Sequence, residues 1–178
     1  MNKSIITTII TTITALIGTA SHATNFEKDT FTTPAGKKLE ITFVKHGTLM
    51  LNYDGHIIHI DQVSDYADYT QMTKADIILI THEHGDHLDL KAIQNIKKDG
   101  TKIISNKGAY KTIQEGESMS NGNNKQVTPY LFSEAVPAYN IAPGREQYHP
   151  KHRDNGYVLE LDHMRIYVAG DTENIEEM

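Results

Sequence analysis

The stretch that decides the fold is "ADIILITHEHGDHLDLKAI", residues 75–93. Its first part, "ADIILI", is a nearly continuous apolar run, which is typical of a strand buried on both faces. Three of the chain's ten histidines and an aspartate follow within six positions. Leu88, Ala92 and Ile96 then recur at helical spacing, and Gly100 is expected to close that helix. With the strand-like "TKIIS" after it, the segment predicts a strand–loop–helix–strand unit of an α/β fold.

The polar residues between this strand and helix have the spacing of metal ligands. Alternate residues of an extended loop point the same way, so His82 and His84 can converge on one point, while Asp86 and His87 can face a second point one turn further on. Two metals ~3.5–4 Å apart polarise a substrate oxygen and generate hydroxide at neutral pH. Imidazole and carboxylate ligands in a chain without cysteine suit zinc, manganese or iron. The alternative is a histidine-rich polar surface loop, although ligands of sheet proteins gather at the carboxyl ends of strands.

The flanking segments predict further strands within one domain, residues 24–178. The stretch "KKLEITFVKHGTLMLNYDGHIIHIDQ" predicts three short strands with turns at "HGT" and "YDG". A short helix near Ala109 to Gln114 and a Gly/Asn/Ser-rich loop precede a strand that ends near Ala138. A long polar loop, "IAPGREQYHPKHRDNG", leads into the hairpin "YVLELDHMRIYVAGD", whose turn is Asp162-His163.

The first residues have the layout of a secretory signal peptide. Residues 1–23 hold a basic start at Lys3, an uncharged Ile/Thr-rich stretch and the small residues Ser21 and Ala23 at the cleavage positions. A membrane anchor is the alternative, but the stretch is short of the ~20 apolar residues of a spanning helix. We therefore expect export, to the periplasm or as a secreted protein, without a stable membrane anchor.

The charge of the chain excludes one class of partner. Its 17 basic and 23 acidic residues give a formal net charge of −6. Binding of phosphate backbones requires a basic face, so nucleic acid is not expected as a partner.

The histidine cluster resembles the signature of the metallo-β-lactamase superfamily. The motif "THEHGDHLD", with "IHID" before it and "IYVAGDTE" after it, is similar to the branch that contains L-ascorbate 6-phosphate lactonase-like and N-acylphosphatidylethanolamine phospholipase D-like proteins. The likeness runs from about Leu39 to the last residue. It implies a four-layer αββα sandwich and two divalent metal ions, with zinc favoured over manganese or iron.

The resemblance also implies a role for individual residues. The implied ligands of the first metal are His82, His84 and His149, and those of the second are Asp86, His87 and Asp171, with Asp171 as the bridging residue. His152 is the alternative to His149. Asp61, at the end of "IHID", is expected to support the metal loop from behind.

Several of these residues have a simpler interpretation. Asp171 and Asp61 are also the kind of residue that caps a turn after a strand, and His149 is also what an ordinary polar loop carries. His46, in "KHGT", either approaches the site or is exposed to solvent. The remaining hairpin histidines are expected on the surface; they are His56, His59 and His163.

The resemblance implies more chain than is present. Members of the superfamily complete the second metal with a late histidine, and no histidine follows Asp171 here. We therefore expect a C-terminally truncated αββα sandwich whose second metal set is one ligand short. The expected activity is that of an exported metal-dependent hydrolase, in which a metal-bound hydroxide attacks a small-molecule ester, lactone or phosphodiester and Asp86 holds or accepts a proton. The alternative is an inactive remnant that binds at most one metal.

Overall fold

The computed structural model describes residues 25–178, so the predicted signal peptide lies outside the described residues. Within the described part, no helix has the length and apolar character needed to cross a membrane. The strands of a seven-stranded sheet are β1 (Glu27–Thr32), β2 (Lys38–Lys45), β3 (Thr48–Tyr53), β4 (His56–Ile60), β5 (Ile77–Ile80), β6 (Lys102–Ser105) and β7 (Glu117–Ser118). The strands of a second, four-stranded sheet are β8 (Asn124–Thr128), β9 (Leu131–Ala138), β10 (Asp154–Leu161) and β11 (Met164–Val168). The two helices among residues 25–178 are α1 (Leu90–Ile96) and α2 (Lys107–Ile113).

The topology of each sheet follows from its connections. Strands β1 to β4 are joined by short connections and pair antiparallel, whereas β4 to β7 pair parallel. Helix α1 forms the crossover between β5 and β6, as parallel neighbours require. The second sheet is antiparallel throughout, in the order β11-β10-β9-β8.

The two faces of β5 explain why its sequence is continuously apolar. Ile77 and Leu79 pack into the core between the two sheets, while Ile78 and Ile80 pack against the helices on the other face. All four side chains are fully buried. The predicted α/β class is therefore confirmed, and the described residues form an αββ arrangement with both helices on the seven-stranded sheet.

Helix α1 differs from its predicted extent. Asp89 caps its first turn by accepting hydrogen bonds from the backbone amides of Lys91 and Ala92. The helix ends at Ile96 rather than at Gly100, because Lys97 already has extended backbone angles. Gly100, with a φ of 83°, belongs to the turn that follows.

Strands β1 and β7, the start of β8 and the burial of His59 were not predicted. Strand β1 has six exposed residues and no apolar alternation, and the predicted polar loop before β9 contains β7 and the start of β8. The expectation that His59 lies on the surface is wrong, because this side chain is fully buried. Its Nε2 donates to the Thr73 carbonyl at 2.9 Å, and its ring packs edge-on against Tyr69 in the segment that covers β4.

Candidate metal centre

The candidate site forms where several chain segments meet at the carboxyl ends of β4 and β5. The loop after β5 carries His82, His84, Asp86 and His87. The turn between β2 and β3, the end of β4, the long loop before β10 and the segment after β11 approach this loop. Backbone hydrogen bonds fix the approach: Asp61 N donates to Leu79 O, and Asn155 N donates to Thr81 O.

Three imidazoles form the first donor group. His82, His84 and His149 each offer a ring nitrogen, and these atoms all lie within 4.8 Å of one another. The ring centroids are 4.6 to 5.0 Å apart. His82 and His149 are buried, and His84 is half-buried. The structure thus brings together the three histidines that were predicted for one metal; their role as ligands stays a prediction.

The second donor group contains the predicted residues Asp86, His87 and Asp171 and one further residue, His46. His87 Nε2 lies 3.1 Å from Asp171 Oδ1. His46 Nε2 lies 3.3 Å from Asp86 Oδ2 and 3.1 Å from His87 Nε2. His46 therefore reaches the site, although 43% of its side chain is exposed.

Asp171 lies between the two donor groups. Its Oδ1 faces His87 Nε2 at 3.1 Å, and its Oδ2 faces His149 Nε2 at 3.3 Å. One carboxylate oxygen is thus directed to each group, which is the placement expected of a residue that bridges two metals.

A second set of contacts orients the imidazoles. His87 Nδ1 donates to Asp61 Oδ2 at 2.8 Å, and His149 Nδ1 donates to Asp154 Oδ2 at 2.9 Å. The Thr81 hydroxyl donates to Asp61 at 2.6 Å, so it accepts from His82 Nδ1 at 2.9 Å. With each Nδ1 engaged in this way, the Nε2 atoms are directed at the centre, as in the outer contacts of metal-ligating histidines.

Asp61 contributes to this set from a fully buried position. Its Oδ1 also accepts the backbone amide of Thr81 at 2.8 Å, and its own carbonyl accepts the Thr48 hydroxyl at 2.5 Å. Burial raises the pKa of this carboxyl, while the hydrogen bond to His87 opposes that shift. The expected support of the metal loop by Asp61 is therefore a set of direct hydrogen bonds to Thr81 and His87.

The electrostatics of the two groups differ. Burial lowers the pKa of His82 to about 3, and the neighbouring His87 lowers it further. Burial also works to lower the pKa of His87, but its contacts with the Asp171 and Asp61 carboxylates raise it to about 10. The hydrogen bond from His87 holds the pKa of Asp171 well below its usual range. The carboxylates of Asp171 and Asp61 thus favour the protonated form of His87.

The residues present fit a divalent cation. The Nε2 atom of His82 is buried and has no hydrogen-bond partner among the described residues. An unpaired buried polar atom costs about 1–3 kcal/mol, and coordination to a cation removes that cost. The donor atoms are imidazole nitrogens and carboxylate oxygens, which suit zinc and also manganese or iron.

The structure shows which of the other histidines lie at the site and which lie away from it. His149 enters the first group, whereas His152 is exposed and belongs to a neighbouring cleft. His56 stacks on Tyr130 with ring centroids 3.9 Å apart, and His163 is exposed in its hairpin.

Arg153 and Asp154 are site residues that sequence reasoning missed. The guanidinium of Arg153 donates to both oxygens of Asp154, at 2.7 and 2.8 Å, and its Nη2 lies 3.3 Å from His84 Nε2. Asp154 is fully buried at the first position of β10. Their position in a predicted irregular loop carried no spacing signal, because contacts such as that between Asp154 and His149 follow from the path of the loop and from no regular period.

A basic cleft of about 470 Å³ opens beside His84. Its charged lining residues are Lys107, Lys111, Lys151, Arg153 and Glu83, with His152 among the polar ones. Lys151 pairs with Glu177 and Arg153 pairs with Asp154, so the excess positive charge of the cleft comes from Lys107 and Lys111, in a chain whose net charge is −6.

Comparisons with known proteins identify the family of the chain. A family model described as the Beta-lactamase superfamily domain matches residues 40–177. A curated "UPF0173 metal-dependent hydrolase" from Thermococcus onnurineus is 32% identical over 117 residues, which are 59% of this chain and 47% of the relative. A protein with the same description from Flavobacterium johnsoniae is 29% identical over 146 residues, covering 75% of this chain and 62% of the relative. The chain thus spans about half to two thirds of the length of these curated relatives.

Solved structures show the same relationship. The crystal structure of a protein described as a putative metal-dependent hydrolase, from Parabacteroides distasonis, has a TM-score of 0.85 and 57% identity, covering 86% of this chain and 70% of that chain. Igni18, described as a metallo hydrolase from Ignicoccus hospitalis, shares the fold with a TM-score of 0.62 at 23% identity, over 78% of this chain and 63% of that chain. The chain has a metallo-β-lactamase fold and belongs to the beta-lactamase superfamily, among relatives named as metal-dependent hydrolases.

Proposed function

We propose that the chain carries the metal centre of a hydrolase that acts on a small-molecule ester, lactone or phosphodiester with two divalent metal ions, zinc being favoured. The observation that carries the proposal is the position of Asp171 between the two donor groups, with Oδ1 3.1 Å from His87 Nε2 and Oδ2 3.3 Å from His149 Nε2. Two donor groups that share one carboxylate are the arrangement of two-metal hydrolases.

The side chains of the site have different roles in the proposed reaction. Ions bound here would supply Lewis-acid polarisation of the substrate and lower the pKa of water. The ligand imidazoles stay neutral in the bound state, and their orientation is set by Asp61, Thr81 and Asp154. Asp86 is exposed at the mouth of the site, where its carboxylate is placed to hold or accept the proton of an attacking water.

The charge of the neighbouring cleft indicates the charge of the substrate. Lys107, Lys111 and Arg153 line a cleft, and the Arg153 guanidinium lies 3.3 Å from His84 Nε2. Cationic walls raise the local concentration of anionic substrates. Within the proposed class, this favours phosphodiesters or esters that carry an anionic group, in keeping with the resemblance to lactonase-like and phospholipase D-like proteins.

The first experiment measures metal content and hydrolysis on the same purified chain. Metal is measured by mass spectrometry, and hydrolysis is measured with bis(p-nitrophenyl) phosphate, p-nitrophenyl acetate and dihydrocoumarin, before and after chelation and with zinc or manganese added back. We expect hydrolysis of at least one substrate that chelation abolishes and metal restores. His84→Ala should lose activity and the metal of the three-histidine position, whereas the exposed His163→Ala should keep activity and full metal content.

Hydrolysis that persists after complete removal of metal would overturn the proposal. A metal-loaded chain that hydrolyses none of the three substrate classes would also contradict it, because the three probes span the proposed ester, lactone and phosphodiester chemistry.

Export is part of the same proposal. Residues 1–23 have a signal-peptide composition, so the chain is expected in the periplasm or the medium. Cell fractionation with an antibody, together with N-terminal sequencing, tests this. Cleavage after Ala23 supports export, and an uncleaved cytoplasmic chain argues against it.

A further inference from the structure

We propose that His46 is a ligand of the second metal position, which then has four protein donors: His46, Asp86, His87 and Asp171. This inference rests on the proposed metal-dependent function. It concerns a residue from the turn between β2 and β3, outside the histidine motif.

The distances around His46 match a shared coordination sphere. Its Nε2 lies 3.1 Å from His87 Nε2, 3.3 Å from Asp86 Oδ2 and 4.0 Å from Asp171 Oδ1. Ligand atoms placed tetrahedrally at the usual ~2.0–2.2 Å from zinc are roughly 3.4 Å apart. A single ion therefore fits between these four atoms with small side-chain adjustments.

The backbone holds the His46 ring in this direction. His46 has a φ of 53°, a left-handed conformation that is uncommon for a residue other than glycine. The next residue, Gly47, is packed on the second donor group, since a Cβ there would lie 2.8 Å from His87 Cε1. After it, the Thr48 hydroxyl donates to the carbonyl of Asp61. The left-handed angle is that of a two-residue hairpin turn, as at Asp54 and Asp162 in the other hairpins, so the turn and the packing of Gly47 together fix where the His46 ring points.

A purely structural role explains these contacts less well. Two imidazole Nε2 atoms and two carboxylates converge from three separate segments on one point. When two Nε2 atoms are 3.1 Å apart, only one of them can carry the proton between them. The exposed contacts of His46 with Asp86 gain little stability by themselves. A cation at the shared point engages both lone pairs at once.

The location of His46 also suits an accessible metal position. The side chains of His46, Asp86 and Asp171 are 43%, 49% and 29% exposed, while His87 is fully buried. The second position is thus open to solvent on one side and anchored on the other. The three-histidine position is more enclosed, so the two positions should exchange metal at different rates.

The test is metal binding, measured independently of catalysis. The metal-free chain is titrated with Co²⁺ by calorimetry and by visible absorption, which reports the number and coordination of bound ions. We expect two ions for the unmodified chain. His46→Ala and His46→Asn should keep one tight ion and bind the second at least tenfold more weakly. Asn tolerates the left-handed backbone, so agreement between the variants separates loss of the imidazole from a change in the turn.

Two controls complete the experiment. His152→Ala removes an exposed histidine outside both donor groups and should bind two ions like the unmodified chain. His84→Ala should weaken the other, three-histidine position instead. Circular dichroism and urea unfolding establish that each variant is folded.

The outcomes separate this inference from the proposed function. Two ions bound with unchanged affinity by both His46 variants would overturn the inference and leave the hydrolase proposal standing. One ion in the unmodified chain and one in the variants would overturn it too, in favour of a single-metal site. No bound metal in the unmodified chain would defeat both proposals together.

Discussion

The Nδ1 atom of His87 lies 2.8 Å from Oδ2 of Asp61, and both side chains are fully buried. Asp61 also accepts hydrogen bonds from the amide and hydroxyl of Thr81, so one carboxylate joins the end of β5 to the second donor group. The contact determines which ring nitrogen of His87 is free, since a neutral imidazole that donates from Nδ1 presents the lone pair of Nε2.

The first prediction concerns Asp61→Asn. The amide keeps one acceptor but places NH₂ donors against groups that already donate, so His87 loses its orientation. We expect affinity at the second position to fall about 10- to 100-fold. Binding at the three-histidine position should change less. Competition between the protein and a chromophoric zinc chelator measures both affinities, and equal weakening of the two positions would contradict the assignment.

The matched prediction concerns Asp154→Asn. Asp154 accepts from His149 Nδ1 at 2.9 Å and holds the Arg153 guanidinium. Its replacement should weaken the three-histidine position by about 10- to 100-fold and should leave the second position nearly intact. The same chelator competition applies. If Asp61→Asn and Asp154→Asn affected the same position, the division of the site into two donor groups would be wrong.

The third prediction compares two glycines near the site. A Cβ at Gly47 would lie 2.8 Å from His87 Cε1, whereas a Cβ at Gly85 meets no atom within 4 Å. Gly47→Ala should displace His46 and His87 and reduce binding at the second position at least tenfold, because the clash is with a ring held by Asp61. Gly85→Ala should bind metal normally. Calorimetric titration measures the metal affinity of both variants. Normal binding by Gly47→Ala would contradict the prediction, because it would mean that the turn moves enough to accommodate the added Cβ.

The fourth prediction concerns the pH dependence of stability. Burial lowers the pKa of His59 to about 4 from an ordinary value of 6.5. Below pH 6.5 the unfolded chain takes up a proton that the folded chain refuses until about pH 4, so His59 makes stability fall with decreasing pH across this window. Between pH 7 and pH 5 the loss from this residue is about 2 kcal/mol.

The variant His59→Gln tests that assignment. It lacks the titrating group, and we expect its stability to fall less over the same interval. Urea unfolding of both proteins at pH 7 and pH 5 provides the comparison, because the contributions of all other groups are shared. If stability had the same pH dependence in the two proteins, folding would not lower the pKa of His59, and the prediction would be wrong.

The local pattern of the sequence was sufficient for the elements that position the metal loop. The apolar run of β5, the turns at Asp54-Gly55 and Asp162-His163, and the His-x-His-x-Asp-His spacing each depend on neighbours along the chain, so they can be read without knowing the fold. Elements with weak local signals were missed or misplaced. Strand β1 has no apolar alternation because it is an exposed edge strand, and α1 ends before its expected glycine.

The sequence by itself determined the class of chemistry: a donor set of imidazoles and carboxylates after a buried strand, on an α/β scaffold. Only the tertiary structure decided which distant residues join it. It selected His149 over His152, brought in His46 and Asp154, and buried His59 beneath the segment that covers β4. His46 and His149 contact the loop after β5, which is distant from them in the chain, and Asp154 contacts His149 because of the path of the loop between them. Such contacts are set by the packing of the two sheets, and no periodicity along the chain records them.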